Sequence, residues 1–400
     1  MTTFAADLET AALRDGLPLR HAEGACLPLR SRHGQCSACA QACPVGALQV
    51  SLAGLELSDA CTGCGRCTAA CPTQALTLPE LAALDERAQT QPGAQPLRIE
   101  CRKAEGLSPT KSATTLVVPC LGSVTAGHLM ALHAAGHEVH LINRGWCLQC
   151  EAGASLDCPA QAALETAALW LGSVGAPDIP LPRWVDELQP LQAMPTAIPP
   201  APEAAAPLSR RSFFREAMQR PAGRNCDKAS PMGSDGRALY PAEQRRPSPE
   251  RQRQYQALHT ETMRQGQEVP TEFFPALTVD ARCCDQQLCV AVCPTAALRA
   301  SQNAEGSTLT LDPVRCIACG TCARACPQGA ISLQAHGGQA QVQTLIHHPQ
   351  RACQACSDTY TPGADDAGLC PSCEKSRRFM NDARRLFGPG ARHASDGPPA

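Results

Sequence analysis

Aromatic side chains are scarce in this 400-residue chain, which has seven Phe, three Trp and three Tyr. Large rings therefore carry little of any core. No apolar run is long enough to cross a bilayer, which takes about 20 residues. The N-terminal MTTFAADLETAALRDGLPLR is acidic early and has no apolar segment of the signal-peptide kind. The formal net charge is −2, so electrostatics give no reason to expect a nucleic-acid or membrane-surface partner. A G-x-G-x-x-G dinucleotide fingerprint and a clear acid–base set are also missing, which argues against a flavin enzyme.

Cysteine is abundant, with 26 residues. Disulfides and metals both account for such content, and disulfide-rich chains are secreted. Without a secretory segment, the expectation is a soluble, cytoplasmic, reducing setting in which the thiols serve metals. Two stretches repeat one phrase. DACTGCGRCTAACPTQAL contains Cys61, Cys64, Cys67 and Cys71 followed by Pro72; RCIACGTCARACPQGAI contains Cys316, Cys319, Cys322 and Cys326 followed by Pro327. C-x2-C-x2-C-x3-C-P is the bacterial iron–sulfur spacing. Three thiolates on a tight loop reach three irons of one cubane. The fourth enters a helical turn that points away, so it serves the neighbouring cluster. Zinc is the competing occupant.

Each complete motif has an imperfect one upstream. In GQCSACAQACPVGAL, Cys36, Cys39 and Cys43 precede Pro44, and His33 stands where the first Cys belongs. Either Cys26, returned by a longer loop, or His33 completes that set. In RCCDQQLCVAVCPTAAL, Cys289 and Cys293 fit, Gln286 takes the second position, and Cys283 and Cys284 are adjacent. Residues 26–71 and residues 283–326 contain eight cysteines each, enough for two four-iron clusters apiece. Crossed ligation predicts the sets Cys26/Cys36/Cys39/Cys71, Cys43/Cys61/Cys64/Cys67 and Cys293/Cys316/Cys319/Cys322. A fourth set takes Cys289 and Cys326 with Cys283 and Cys284; three irons or an outside ligand are its alternatives. Both segments resemble two-cluster bacterial ferredoxin domains. That resemblance implies a pseudo-twofold pair of helical turns flanked by strands. LQVSLAGLELS reads as a hairpin about Gly54, and ALTL as a closing strand.

Between the segments, LRIEC, TTLVVPC and HEVHLIN read as strands, and VTAGHLMALHAAG as a helix stopped by Gly136. Strand–helix–strand at this spacing is a βαβ unit with parallel strands. It brings Cys120 and Cys147 to the carboxyl edge of the sheet, where ligands bind in such folds; if LRIEC joins the same sheet, Cys101, Cys120, Cys147 and Cys150 converge there. Cys158 is a candidate replacement for one of them. PCLGSV, the following helix and GWCLQC are similar to the delta subunit of heterodisulfide-reductase-linked hydrogenases, which implies a [2Fe–2S] cluster on those four residues. Zinc and a redox-active dithiol are the other readings. His128, His133, His137 and His140 read as surface or core residues.

From Gly175 the chain is rich in Pro and Ala and reads as an extended linker. SRRSFFREAMQR follows. Its opening resembles a twin-arginine signal, but it lies mid-chain before a polar stretch, so it reads as a short amphipathic helix capped by Ser209 and carrying Phe213, Phe214, Ala217 and Met218. Cys226 is isolated. QRQYQALHTETMRQ reads as a further helix. Cys353-x2-Cys356-x13-Cys370-x2-Cys373 has zinc-ribbon spacing, with a rubredoxin-like iron as its rival. EKSRRFMNDARRLFG after it is an amphipathic helix with Phe379, Ala383, Leu386 and Phe387 on one face.

The expected fold is α+β and multidomain: two ferredoxin-like 2[4Fe–4S] domains (20–80 and 269–336) flank a small α/β domain (95–175). A Pro/Ala-rich linker with helices spans 176–268, and a zinc-ribbon-like module spans 345–390. The expected cofactors are about four [4Fe–4S] clusters, a [2Fe–2S] cluster and zinc. The expected function is electron relay of the polyferredoxin kind, serving a larger oxidoreductase such as a formate dehydrogenase-type or other molybdenum enzyme. A reductase acting through the middle cysteines is one alternative. An assembly or redox-sensing factor for an oxidoreductase is the other.

Overall fold

The computed structural model describes residues 11–13, 17–104, 114–153, 156–175, 179–191, 194, 245–303, 305–360, 362 and 367–387. The Pro/Ala-rich stretch from 195, the helix expected after Ser209 and Cys226 lie outside the described residues.

The first cysteine-rich segment is built around two short helices, Ala38–Gln41 and Arg66–Ala70. Leu48–Val50 and Leu55–Leu57 pair antiparallel as the hairpin about Gly54. Leu76–Thr77 pairs with Arg20–His21, so the closing strand returns to the strand that precedes the first motif. Leu48 and Leu76 point inward and are buried, while Gln49 and Thr77 beside them face solvent. That is the two-residue alternation of strands covered on one face.

The second segment repeats this plan. Helices Leu288–Val292 and Thr321–Ala325 lie near each other. Leu298–Asn303 forms a hairpin with Gly306–Leu311, and Pro275–Val279 pairs with Ile331–Gly337. One strand goes beyond the expected 269–336 span. Gln343–Pro349 adds to the hairpin by pairing with Gly306–Leu311.

The middle segment forms a four-stranded parallel sheet in the order Thr115–Val118, Leu97–Cys101, Val139–Asn143, Arg183–Asp186. Ile99, Val139 and Leu141 are fully buried, as parallel strands require. Helices Ala126–Ala134 and Gln161–Ser173 supply the crossovers. The fourth strand corrects the sequence reading, which put residues 183–186 inside the extended linker. Flanking prolines masked a run that hydrogen-bonds register for register with Val139–Asn143. His128, His133 and His137 are core residues bonded to Thr125, the carbonyl of Ile179 and the carbonyl of Arg87.

Helix Pro249–Gln265 joins the three segments. Its sequence is mostly polar, yet it sets Ala257 and Leu258 into the main core cluster, with Tyr255 packed against it. Its polar side chains make the joints. Glu250 accepts from the Gly127 N–H (2.7 Å) and the Thr125 hydroxyl (2.5 Å) at the start of the Ala126–Ala134 helix. Arg253 forks onto Asp85 at 2.6 and 2.8 Å, and Arg264 donates to the carbonyl of Ala134 at 2.8 Å. Its N-cap, Ser248, donates to the carbonyl of Pro72 at 2.8 Å.

At the carboxyl side, Arg351–Ala352 and Thr359–Tyr360 form a small ribbon before helix Pro371–Phe387. Phe379 and Met380 on that helix are exposed. Among the described residues, no helix is long and apolar enough to cross a membrane.

Candidate iron–sulfur and metal sites

Each imperfect or complete motif ends in the same backbone device. The residue three places after the last Cys has a left-handed conformation: Gly46 (φ 62), Gln74 (φ 50), Ala296 (φ 54) and Gly329 (φ 57). At three of these turns the next N–H is thereby aimed back at the sulfur. Ala47 donates to Cys43 Sγ at 3.2 Å, Ala75 to Cys71 Sγ at 3.2 Å and Ala330 to Cys326 Sγ at 3.4 Å. An N–H donated to sulfur favours the thiolate, the form that binds metal.

The sulfurs gather in fours. Cys26, Cys36, Cys39 and Cys71 line one apolar cavity. Cys26 occupies it, whereas His33 is turned to Arg32, whose Nε lies 3.2 Å from His33 Nε2. Helix Leu27–Arg30 and the close turn in which the Gly34 N–H bonds the carbonyl of Ser31 at 2.8 Å fold the longer loop back. Cys43, Cys61, Cys64 and Cys67 line a second cavity, and Cys293, Cys316, Cys319 and Cys322 a third. Burial pushes Cys26 up to about 12, Cys39 to about 11, Cys316 to about 11 and Cys322 to about 12; Cys64 and Cys67 also rise. Buried thiols of this kind are not free nucleophiles. They become thiolates when a metal's charge compensates the burial.

The fourth set differs. Cys283, Cys289 and Cys326 are close enough to act on one another's charge, and burial pushes Cys289 up to about 11. Cys284 stands beside Cys283, and Gln286, at the vacant second position, is exposed. The structure adds a residue that spacing did not indicate: the buried His348, whose Nε2 lies 3.3 Å from Cys283 Sγ. It arrives on strand Gln343–Pro349, paired with Ser307 on the hairpin. Its position 65 residues from Cys283 gave no local signal.

In the middle segment Cys101, Cys120, Cys147 and Cys150 line one cavity at the carboxyl edge of the sheet, with Lys103 and Trp146. Burial pushes Cys147 up to about 12 and raises Cys101 and Cys120 as well. Cys158 is near enough to act on Cys147 but lies outside that lining. A buried ion network holds the edge. Arg144 forks onto the Glu100 carboxylate at 3.0 and 3.1 Å, and Arg98 bridges Glu100 (2.8 Å) and Glu187 (2.5 and 2.8 Å).

Near the carboxyl side the thiols of Cys353, Cys356, Cys370 and Cys373 all lie within 4.8 Å of one another. Cys356 and Cys370 sulfurs are 3.7 Å apart. Bonds of about 2.3 Å in a tetrahedron give a sulfur–sulfur edge of about 3.8 Å, so the group fits one tetrahedral ion. The Cys370 N–H, 3.2 Å from Cys353 Sγ, draws that thiol down to about 6.

The sites form a contiguous series. The Cys64–Cys67 loop lies against the middle segment. Arg66 donates to the carbonyls of Ala152 and Gly153 at 3.2 and 3.1 Å. A Cβ on Gly65 would stand 2.9 Å from Ser123 Cβ, so glycine permits the approach. Cys64 acts on Cys120, and Cys39 on Cys67. The two cysteine-rich segments touch where Arg324, between Cys322 and Cys326, donates to the carbonyl of His33 at 2.9 Å.

Residues 34–76 match the family described as the 4Fe-4S dicluster domain, and residues 309–332 match the 4Fe-4S binding domain. Cys283, Cys284, Cys289 and Cys293 lie outside the matched residues. The chain matches no curated protein. It carries two ferredoxin-type iron–sulfur domains inside a mixed α/β structure, and domains of this type indicate iron–sulfur electron transfer.

Proposed function

We propose that this protein is an electron relay of the polyferredoxin kind, passing electrons to or from a larger oxidoreductase. Its proposed cluster ligands are the four sets Cys26/Cys36/Cys39/Cys71, Cys43/Cys61/Cys64/Cys67, Cys293/Cys316/Cys319/Cys322 and Cys283/Cys289/Cys326, with Cys284 beside the last. Cys101, Cys120, Cys147 and Cys150 hold a further redox group, a [2Fe–2S] cluster by resemblance. Cys353, Cys356, Cys370 and Cys373 hold zinc. Bound iron–sulfur clusters supply one-electron exchange over a range of potentials set by charge, hydrogen bonds and exposure.

One observation carries this reading: the contiguity of the thiol sites. Cys120 neighbours Cys64, Cys67 neighbours Cys39, and Arg324 joins the two ferredoxin-type segments. The chain's own residues do three things there. Thiolates fix the sites, the backbone N–H groups after Cys43, Cys71 and Cys326 steady the sulfurs, and apolar walls keep water away. The raised middle thiols oppose the dithiol reductase, which needs a thiolate attacker. Leu148, between Cys147 and Cys150, and Leu288, beside Cys289, are exposed and offer apolar contacts for a partner at either end of the series.

Anaerobic purification with iron, sulfide and zinc analysis, then EPR of the reduced protein, tests the proposal. Four cubanes require about sixteen irons, plus those of the middle site. A folded sample containing zinc alone, or fewer than about eight irons when fully loaded, ends it.

A further inference from the structure

The loop that carries Cys283 repeats the backbone of the two complete motifs. In those motifs the N–H of the first Cys closes a turn on the carbonyl three residues earlier, Cys61 on Ser58 at 3.3 Å and Cys316 on Pro313 at 3.3 Å. Cys283 does the same on Asp280 at 3.1 Å. Left-handed residues then flank the second Cys. Gly63 (φ 64) and Gly65 (φ 77) stand on either side of Cys64, and Ala318 (φ 51) and Gly320 (φ 69) on either side of Cys319. Asp285 (φ 52) and Gln287 (φ 55) stand on either side of Gln286. A five-residue helix starts next in all three, at Arg66, Thr321 and Leu288, and is capped by the last Cys of its motif.

That correspondence fixes the register. Cys283 matches Cys61 and Cys316, and Cys289 matches Cys67 and Cys322. Cys284 falls where Thr62 and Ile317 stand, a place from which neither complete loop supplies a thiolate. Gln286 falls where Cys64 and Cys319 stand, and it is exposed while both of those cysteines are half-buried. The left-handed turn at Gln287 costs about 1–2 kcal/mol that glycine does not incur. The chain thus keeps the shape of a cluster-binding loop where the second thiol is missing. His348 does not stand in for it, because its Nε2 lies 3.3 Å from the sulfur of Cys283, the first ligand position. Cys289 and Cys326 pack in one hydrophobic cluster and complete a frame of three thiols.

We propose that Cys283, Cys289 and Cys326 are the complete thiolate set of the fourth site, and that the metal position beside Gln286 is an exchangeable ferrous site open to a small donor ligand from solution. The inference rests on the relay reading above. Cys284 is then a spare thiol next to the site. Iron enters and leaves such a position as the ferrous ion, so no electron is transferred and the bonds made and broken are those to its sulfides. The other three ferredoxin-type sets each offer four cysteines to one cavity, and their irons are closed to this exchange.

The test is isotope exchange on the anaerobically loaded full chain. The protein is incubated with isotopically enriched ferrous ion under reducing conditions, washed with a chelator, and its bound iron is analysed by mass spectrometry. The unaltered protein is expected to take up about one enriched iron among about sixteen. Gln286→Cys supplies the missing thiolate and should abolish the uptake with total iron unchanged. Cys284→Ser should exchange as the unaltered protein does. Cys289→Ser removes a ligand of the site and should lose the uptake together with about four irons. No enriched iron in the unaltered protein overturns the proposal. So does loss of iron or of exchange in Cys284→Ser, which would make Cys284 a ligand. Exchange that persists in Cys289→Ser, or in an iron-replete Gln286→Cys, places the open position elsewhere and overturns it too. An unaltered protein that binds no iron overturns the relay reading itself, a distinguishable failure.

Discussion

Replacing Arg144 with Met breaks the buried ion network behind the middle site. Glu100 is 2% exposed and Arg144 is 5% exposed. The substitution removes both bonds from Arg144 to the Glu100 carboxylate and the 3.1 Å bond to Glu187. Glu100 then loses one of its two arginines, and the other, Arg98, is shared with Glu187. Removing one partner of a buried pair costs about 3–5 kcal/mol. Adding Glu100→Gln withdraws the stranded charge and leaves the Arg98–Glu187 fork intact, so the double variant is expected to lose only about 1–2 kcal/mol. The assay is built into the chain. All three tryptophans, Trp146, Trp170 and Trp184, lie in the middle segment, so intrinsic fluorescence during anaerobic urea unfolding reports on it. With a slope of about 2 kcal/mol per molar urea, the single variant moves the midpoint down by about 2 M. A shift under about 0.5 M, or a double variant less stable than the single one, refutes the reasoning.

Three further outcomes are expected. Burial, then Arg253, pushes His128 down to about 3 against the opposing Asp85, and its Nδ1 accepts the Thr125 N–H. The unfolded imidazole takes up its proton near pH 6.5, so the stability from a neutral His128 is complete above that pH and declines toward pH 3. It falls by about 3 kcal/mol between pH 6.5 and 4, and His128→Asn should flatten the decline in the tryptophan-detected unfolding free energy. His348→Leu removes the group 3.3 Å from Cys283 Sγ; iron content should hold while the midpoint of that site falls, because hydrogen bonds to sulfur raise cluster potentials. Cys353→Ser should cost one equivalent of zinc by elemental analysis with iron unchanged, since it removes a corner of the four-thiol group.

The features legible in the sequence are those written locally. Cysteine spacing grouped Cys43 with Cys61, Cys64 and Cys67, and Cys293 with Cys316, Cys319 and Cys322, and each group lines one cavity. The alternation around Gly54 marked the hairpin, and three apolar runs ending in Cys marked parallel strands. The structure also separates Cys26 from His33, a choice that spacing left open, because the turn at Gly34 brings the earlier residue home. What was not legible depends on long-range pairing. Arg183–Asp186 is a strand because Val139–Asn143 offers it a hydrogen-bonding edge. His348 reaches Cys283 through a strand beyond the motif, and the charged residues by which helix Pro249–Gln265 grips its neighbours, Glu250, Arg253 and Arg264, carry no local sign of their distant partners.

That helix has a consequence for biosynthesis. Its N-cap meets Pro72 across 176 residues of chain. At roughly 5–20 residues per second a ribosome needs about 10–35 s to make the intervening stretch. The amino-terminal cysteine loops are therefore in the cell well before their brace exists. Metal loading of the first half has an interval of its own, and the two halves can lock together only once the brace has left the exit tunnel.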